Sequence, residues 1–447
     1  MLKIDKGPVW SMSRRGILGG PSSYESKYDV AKQQLTLYAV SRLNRGFHAK
    51  DREDMKSTSP EKAGYRIGIM LRGIDEIDGP GVYIRGLCSV LFDIDKENEY
   101  FLYYIKEDQK GIYSGQKNVT ERVLPSMSKL DWDQISVPIH ALRDDLDVIF
   151  HHKFSIPLLS HCPTVVQLRG AEHWIFPEWY EVLERYYAKF AYPIFCKKAD
   201  QVLSNSKSLS KQMSPYIDVP VEEIEYIYAA PNPQFSPVTS SSRISDVRSK
   251  YNIPDCPFYL MVAKGYSSVH NQEVEMYPRK NVQGVVEAYG RLQRSTPRED
   301  TPPLVVAGPG FNGEEVRRLR KSLPYGDLLQ FPGYVDFEDM PTIYSIALAL
   351  VFPSYSESFG IPLVEAMACG CPVITSNTTA CPEVVGEAGL LIDPYSVDEI
   401  YDVLRRIKKD DELKLRLQRK SIKRSNKFTW DKSANKLLSI LEESAKK

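Results

Sequence analysis

From residue 65 onward the chain repeats one pattern. A short run rich in apolar residues is followed by a polar or glycine-containing break, then by a stretch whose apolar positions recur at helical spacing. In the first half, the runs 65–71, 99–105, 117–124, 146–150, 164–168, 200–204 and 225–228 predict strands. Helices are predicted to about residue 92 and over 135–143, 177–198 and 206–215. In the second half, strands are predicted at 258–262, 304–308, 328–335, 348–352 and 372–375. Helices are predicted at 282–292, 314–322, 339–347, 362–369, 398–408 and 411–425, with a last one ending near 444. Strands alternating with helices predict parallel sheets covered on both faces. A chain of 447 residues is too long for one ordinary core. Two such α/β domains are therefore expected, at 61–240 and 241–430, joined through a serine-rich linker at 236–245 and followed by a helix at 431–447.

Residues 1–60 do not carry this pattern. An amphipathic helix is expected at 28–43 and a polar linker at 50–64. The segment reads as an appendage, with a partner-binding or membrane-surface helix left open.

Composition narrows the function classes. Fifty-eight basic residues balance 58 acidic ones, which argues against a nucleic-acid binder. No apolar run reaches the roughly 18 residues of a membrane span, and the N-terminal stretch lacks the apolar centre of a secretory signal. Seven scattered cysteines fit a reducing compartment rather than a disulfide framework. Cys369, Cys371 and Cys381 lie close in sequence, but without a C-x-x-C pair they read as buried thiols, and no metal site is expected. A cytoplasmic address follows, with peripheral contact with a membrane left open.

The most informative stretch is 351–394, VFPSYSESFGIPLVEAMACGCPVITSNTTACPEVVGEAGLLIDP. Glu357 and Glu365 stand eight positions apart in it. Pro362 suits a first helical position, where its missing N–H costs nothing, and Gly370 followed by Pro372 ends the helix. Eight helical residues span roughly 12 Å, about the distance from the sugar ring to the ribose of a nucleotide sugar. Glu357 would then accept from sugar hydroxyls and Glu365 from the ribose diol. The N–H groups around Phe359, Gly360 and Ile361 would face the diphosphate, as helix starts do. Two glutamates near a helix start are also explained as dipole partners. Glu365, however, lies inside an apolar helix, and a buried carboxylate needs partners.

The text PSYSESFGIPLVEAMACGCPVITSN, then PEVVGEAGLLIDP, resembles the signature of family 4 glycosyltransferases, retaining enzymes of the GT-B fold. The resemblance covers most of 65–445 and is strongest from 258 onward. It implies two facing Rossmann-like, doubly wound domains with the active site in the cleft. It implies transfer of a sugar, with retention of configuration, from a nucleotide diphosphate sugar to a glycan, lipid or small-molecule acceptor. No separate cofactor is implied, since the nucleotide sugar is a substrate. The family places cations on the leaving diphosphate at two spots. Here they are Lys264, where an arginine is usual, and Lys280 of the PRKN run, beside Arg279. Glu357 and Glu365 take the sugar and nucleotide ends. Cationic side chains can hold the diphosphate, and no Asp-x-Asp pair ends a predicted strand, so a divalent metal is expected to be dispensable.

Three further stretches are weighed against this resemblance. The run DGPGVYIRG at 78–86 resembles the family's first glycine-rich loop, with Gly79 and Gly81 letting backbone approach a ligand. A plain tight turn explains these glycines equally well, and the dinucleotide fingerprint GxGxxG is absent. One position departs from the family. Arg169 stands where a histidine is usual, and His173 lies four residues on, so either residue is a candidate for the donor sugar. His151 and His152 close a predicted strand, where α/β ligands bind, though polar loop residues also stand there. The segment 177–198 carries Trp179, Tyr180, Tyr186, Tyr187, Phe190, Tyr192 and Phe195. Their helical spacing reads mostly as core or domain face, with an acceptor-binding or membrane-facing surface as the alternative. A catalytically silent nucleotide-sugar or partner binder is the rival function, motivated by Arg169. A nucleotide-sugar epimerase is disfavoured by the Glu357/Glu365 pair.

Overall fold

The computed structural model describes residues 64–76, 79–265, 278–311 and 313–447. The helix expected at 28–43, the linker at 50–64 except Gly64, and most of the long loop after Lys264 lie outside them.

The first sheet has seven parallel strands: β1 (Arg66–Met70), β2 (Glu99–Tyr104), β3 (Val119–Val123), β4 (Val148–His151), β5 (Thr164–Gln167), β6 (Gln201–Ser204) and β7 (Ile224–Tyr226). Their order is β3-β2-β1-β4-β5-β6-β7. The second has six: β8 (Tyr259–Val262), β9 (Leu304–Ala307), β10 (Leu329–Gly333), β11 (Ala349–Phe352), β12 (Val373–Ser376) and β13 (Gly389–Ile392), in the order β10-β9-β8-β11-β12-β13. Helices cover the sheets, so central strands such as β1 and β4 are buried and apolar except for half-buried Arg66 at the start of β1 and His151 at the end of β4. In each sheet the chain adds three strands in one direction and then returns to the other side of the first. The switch points lie between β1 and β4 and between β8 and β11. Ligands of such sheets bind outside the carboxyl ends of the strands, at these points.

Three local readings are corrected. The helix after β1 spans Gly79–Ile94, so Gly79 and Gly81 belong to its first turn and not to a loop before it. Gly81 is there because the Glu76 carbonyl comes close: a Cβ at 81 would fall 1.9 Å from that oxygen. A helix, Ser241–Tyr251, occupies much of the expected linker. The Ser240 hydroxyl caps it by accepting from Arg243 N–H at 3.4 Å. Only Val247 of this helix is fully buried, so it shows no apolar period to read. β13 was also unanticipated, being a short edge strand with Leu391 exposed.

The last helix, Trp430–Ala445, packs against Gly79–Ile94. Gly86 makes room for the Trp430 indole, whose ring would lie 2.5 Å from a Cβ there. The Ser433 hydroxyl donates to the Tyr228 carbonyl at 2.7 Å. The second sheet is tied to the first by Glu383, which accepts from the N–H groups of Lys207 (2.9 Å) and Ser208 (2.7 Å) and from the Tyr228 hydroxyl (2.7 Å). The carbonyl of Ser358 accepts from Ser206 Oγ at 2.8 Å. The Phe359 ring packs tilted against Tyr228 and edge-on to Phe428, with centroids 5.7 and 5.4 Å away.

Candidate functional site

A cleft of about 440 Å³ separates the carboxyl ends of the two sheets. Gly79, Arg169 and Asn205 line it from the first sheet. Lys264, Arg279, Lys280, Glu357, Phe359, Gly360, Ile361 and Glu365 line it from the second.

Chain turns set most of these positions. Lys264 follows β8, and Arg279 and Lys280 form a single 3-10 turn, Pro278–Lys280, before the helix Val282–Ser295. Asn281 holds that turn. It adopts φ +55° and its side chain accepts from Gly284 N–H at 3.2 Å while donating to the Pro394 carbonyl at 2.6 Å. On the other side of the switch point, β11 leads through a loop to the helix Ile361–Ala368. Gly360 begins that helix at φ +91°, and a Cβ there would meet Leu363 Cδ1 at 2.8 Å. The helix starts four residues after Glu357, so the helical-rise spacing expected between Glu357 and Glu365 applies only to its second half.

The Lys280 ammonium donates to Glu357 Oε1 at 2.5 Å, and Arg279 Nη2 lies 3.9 Å from Oε2. Burial pushes the Glu357 carboxyl up, but the Lys280 ammonium and the Arg279 guanidinium outweigh it and hold the group below its usual range. Burial also draws the Lys280 ammonium down. Glu365 differs. It is buried, and among the described residues its carboxyl accepts one hydrogen bond, from the Tyr344 hydroxyl at 3.2 Å. Burial pushes it up to about 7, against a small opposing pull from that bond. One switch point thus carries a carboxylate held ionised and another poised near neutrality.

Arg169 reaches the cleft, where its guanidinium sits 4.4 Å from the Tyr83 ring centroid and its Nη2 lies 3.5 Å from the Gly79 carbonyl. His173 does not line the cleft. It stacks on Tyr180 at 3.9 Å and pairs with Glu184 at 3.3 Å, inside a cluster with Phe154, Trp174 and Tyr192. Of the two candidates for the usual histidine's place, Arg169 alone stands on the wall, because the chain turns into the helix Glu172–Ile175 right after it. Gly81 is buried and also off the wall. His151 and His152 are buried beneath the sheet edge, and burial together with neighbouring cations holds both rings neutral.

Two contacts were not anticipated. Glu172 accepts from Ser356 Oγ at 3.2 Å and lies 3.6 Å from Arg279, so it spans from one sheet to the other. Tyr344 is the partner of Glu365. Nothing in the local pattern marks either, beyond Glu172 following a strand end. Cys369, Cys371 and Cys381 are free, buried thiols. Four of the seven aromatics at 177–198 are not exposed, but Tyr186, Tyr187 and Phe190 are, which corrects the core reading for them.

Residues 275–424 match the model of the family Glycosyl transferases group 1. Over 243 residues, 54% of this chain and 28% of the relative, the sequence is 29% identical to the serotype-specific mannosyltransferase WbdA of Escherichia coli. Over 157 residues, 35% of this chain and 41% of the relative, it is 36% identical to the O-antigen chain mannosyltransferase B of Escherichia coli. The chain therefore spans less than half the length of these relatives. Among solved structures, Anabaena Alr3699/HepE in complex with UDP-glucose superposes with a TM-score of 0.64 at 16% identity, over 85% of this chain and all of that one. The resemblance to family 4 glycosyltransferases holds, and the two facing sheets form the GT-B fold.

Proposed function

We propose that this chain, a relative of the group 1 glycosyltransferases with the GT-B fold, moves a hexose from a nucleotide diphosphate sugar to an acceptor with retention of configuration. The observation that carries the reading is the joint lining of one cleft by Lys264, Arg279, Lys280, Glu357 and Glu365. The reading assigns these three cations to the diphosphate, and so calls for neither a cofactor nor a divalent metal. Departure of the diphosphate breaks the bond from sugar C1 to the phosphate oxygen, and cations placed there stabilise the charge that grows. The acceptor oxygen attacks C1 from the face the diphosphate leaves, and its proton passes to the departing phosphate oxygen. Glu357 orients the sugar, Glu365 the ribose, and Arg169 replaces the usual histidine at the donor sugar. The relatives named above point to mannose, and the UDP-glucose complex to glucose, as sugars to try first.

The acceptor is a glycan, a lipid or a small molecule, and the reaction is cytoplasmic, consistent with seven free cysteines. Among the described residues no helix is long and apolar enough to cross a membrane. Peripheral contact is supported by Leu183, Tyr186, Phe190 and Ile194, which are exposed along one face of the helix Val182–Lys198 beside Lys189, Lys197 and Lys198.

The test is thermal stabilisation by UDP- and GDP-sugars followed by release of free sugar or transfer. Binding at about 100 times the dissociation constant adds about 2.7 kcal/mol. A chain that binds a donor and never releases its sugar is a silent binder, and the catalytic reading falls. Flotation with anionic vesicles, compared with Leu183→Glu/Phe190→Glu, tests the membrane contact.

A further inference from the structure

A second pocket, of about 160 Å³, is lined by Arg72, Glu76, Lys129, Lys153, Phe154, Ser155, Tyr187 and Tyr192. None of these residues lines the main cleft. Arg72 follows β1, and Lys153 and Ser155 follow β4. The pocket therefore sits outside the carboxyl ends of the two strands that flank the first sheet's switch point, the position at which α/β sheets hold ligands. Arg169 follows β5, the next strand over, so the pocket lies on the same sheet edge as the cleft wall.

Its chemistry is anionic recognition. Three cations and one carboxylate line it. Arg72 commits Nη1 to buried Asp133, at 2.9 and 2.7 Å. Among the described residues its Nη2 makes two long contacts, 3.4 Å to the Lys153 carbonyl and 3.3 Å to Ser155 Oγ. Lys153 pairs with Glu76, which is 40% exposed and so easily displaced. Lys129 is exposed. Asp133 orients Arg72 rather than cancelling the whole set. Tyr187 is exposed and offers apolar ring surface beside the cations, whereas Tyr192 is stacked on Phe154 at 4.7 Å and forms the pocket's buried floor. A cavity of about 150 Å³ holds a molecule the size of benzene, so this one has room for a phosphate or carboxylate group.

We propose that this pocket binds the negatively charged group of the acceptor, a phosphate or carboxylate carried by a sugar or a lipid headgroup, with Arg72, Lys129 and Lys153 as its cations. The inference rests on the glycosyl-transfer reading and names the acceptor class for it. Aligned on one sheet edge, the anchored acceptor extends toward Arg169 and the donor.

Calorimetric titration of the full chain with glucose 6-phosphate, glucuronate and glucose tests it. At least tenfold tighter binding of one of the two anions than of glucose is expected, with the preference abolished in Lys129→Gln/Lys153→Gln. Lys129 is exposed and the Glu76 partner of Lys153 is 40% exposed, so folding is retained, and the melting temperature checks this. Micelles carrying phosphatidic acid, compared with phosphatidylcholine alone, distinguish a lipid phosphate from a soluble one by competition against glucose 6-phosphate. Equal binding of glucose and both anions, no binding of any anion, or a preference that survives in the folded variant overturns the proposal. The nucleoside diphosphate is titrated in parallel. Absent nucleotide binding with intact anion binding condemns the donor site and leaves this pocket standing, whereas the reverse condemns the pocket alone.

Discussion

The Lys280 ammonium donates to Glu357 Oε1 at 2.5 Å, across 77 residues of sequence, with Glu357 buried and Lys280 nearly so. Each charge is the other's main partner, so the residues expected to act separately on sugar and leaving group form one unit before any donor arrives. Removing one partner leaves a buried charge without compensation. Lys280→Ala is expected to cost about 3 kcal/mol of stability and to lower turnover more than donor affinity, because diphosphate charge grows in the transition state. The double variant Lys280→Ala/Glu357→Gln should recover much of the stability and none of the turnover. Turnover restored together with stability would make Lys280 a structural residue.

Glu357→Gln keeps the shape of the side chain and frees Lys280 from its carboxylate. It should bind the bare nucleoside diphosphate as well as the parent chain or better, and transfer sugar at least tenfold more slowly. Nucleotide affinity, melting temperature and transfer rate are to be measured on one preparation. A folded variant that loses stability but keeps its rate returns Glu357 to a purely structural part.

Glu365 predicts a pH dependence. Its carboxyl is pushed up to about 7 by burial, so in the donor-free protein it is protonated below that pH. Ribose hydroxyls would donate to it and favour the charged form, so donor binding releases a proton near neutrality. Affinity for a nucleoside diphosphate is expected to fall about tenfold per unit below pH 7 and to level off above it. The folded value lies above the free value of 4.5, so Glu365 contributes stability that is complete below pH 4.5 and lost as pH rises through 7. Glu365→Gln should flatten both profiles, and Glu365→Ala should weaken nucleotide binding by about 1.5–3 kcal/mol. The nucleotide's own phosphate titrates near pH 6, so the difference between variant and parent is the measurement. Identical profiles in both would remove Glu365 from the nucleotide site.

Gly360 holds φ +91° at the start of the helix Ile361–Ala368. Gly360→Ala forces a side chain into left-handed backbone and against Leu363 Cδ1. A cost of about 1–3 kcal/mol is expected, with nucleotide affinity falling as the helix start shifts. Unchanged melting temperature and affinity would show that the turn relaxes freely.

Much of the fold was legible because its signals are local. The strand 348–352 appears as Ala349–Phe352 and the helix 362–369 as Ile361–Ala368, since an apolar run, a proline and a glycine act on neighbouring residues. The helix Ser241–Tyr251 was not legible, because it is polar nearly all round and is held by a serine cap and by its packing. His173 was placed beside Arg169 by sequence distance alone, and a turn into the helix Glu172–Ile175 removed it from the wall.

By itself the sequence determined the alternation that builds two parallel sheets, and it marked Lys280, Glu357 and Glu365 as residues of one motif-bearing domain. It did so because backbone preference and hydrophobic period are properties of contiguous residues. Only the tertiary structure decided that Lys280 neutralises Glu357, that Glu172 meets Ser356 across 184 residues, and that Arg72 and Lys153 share a pocket. Those relations depend on which strands become neighbours, and on the burial that makes each charge sensitive to the next. Both arise from packing the whole sheet, and no window of the chain contains them.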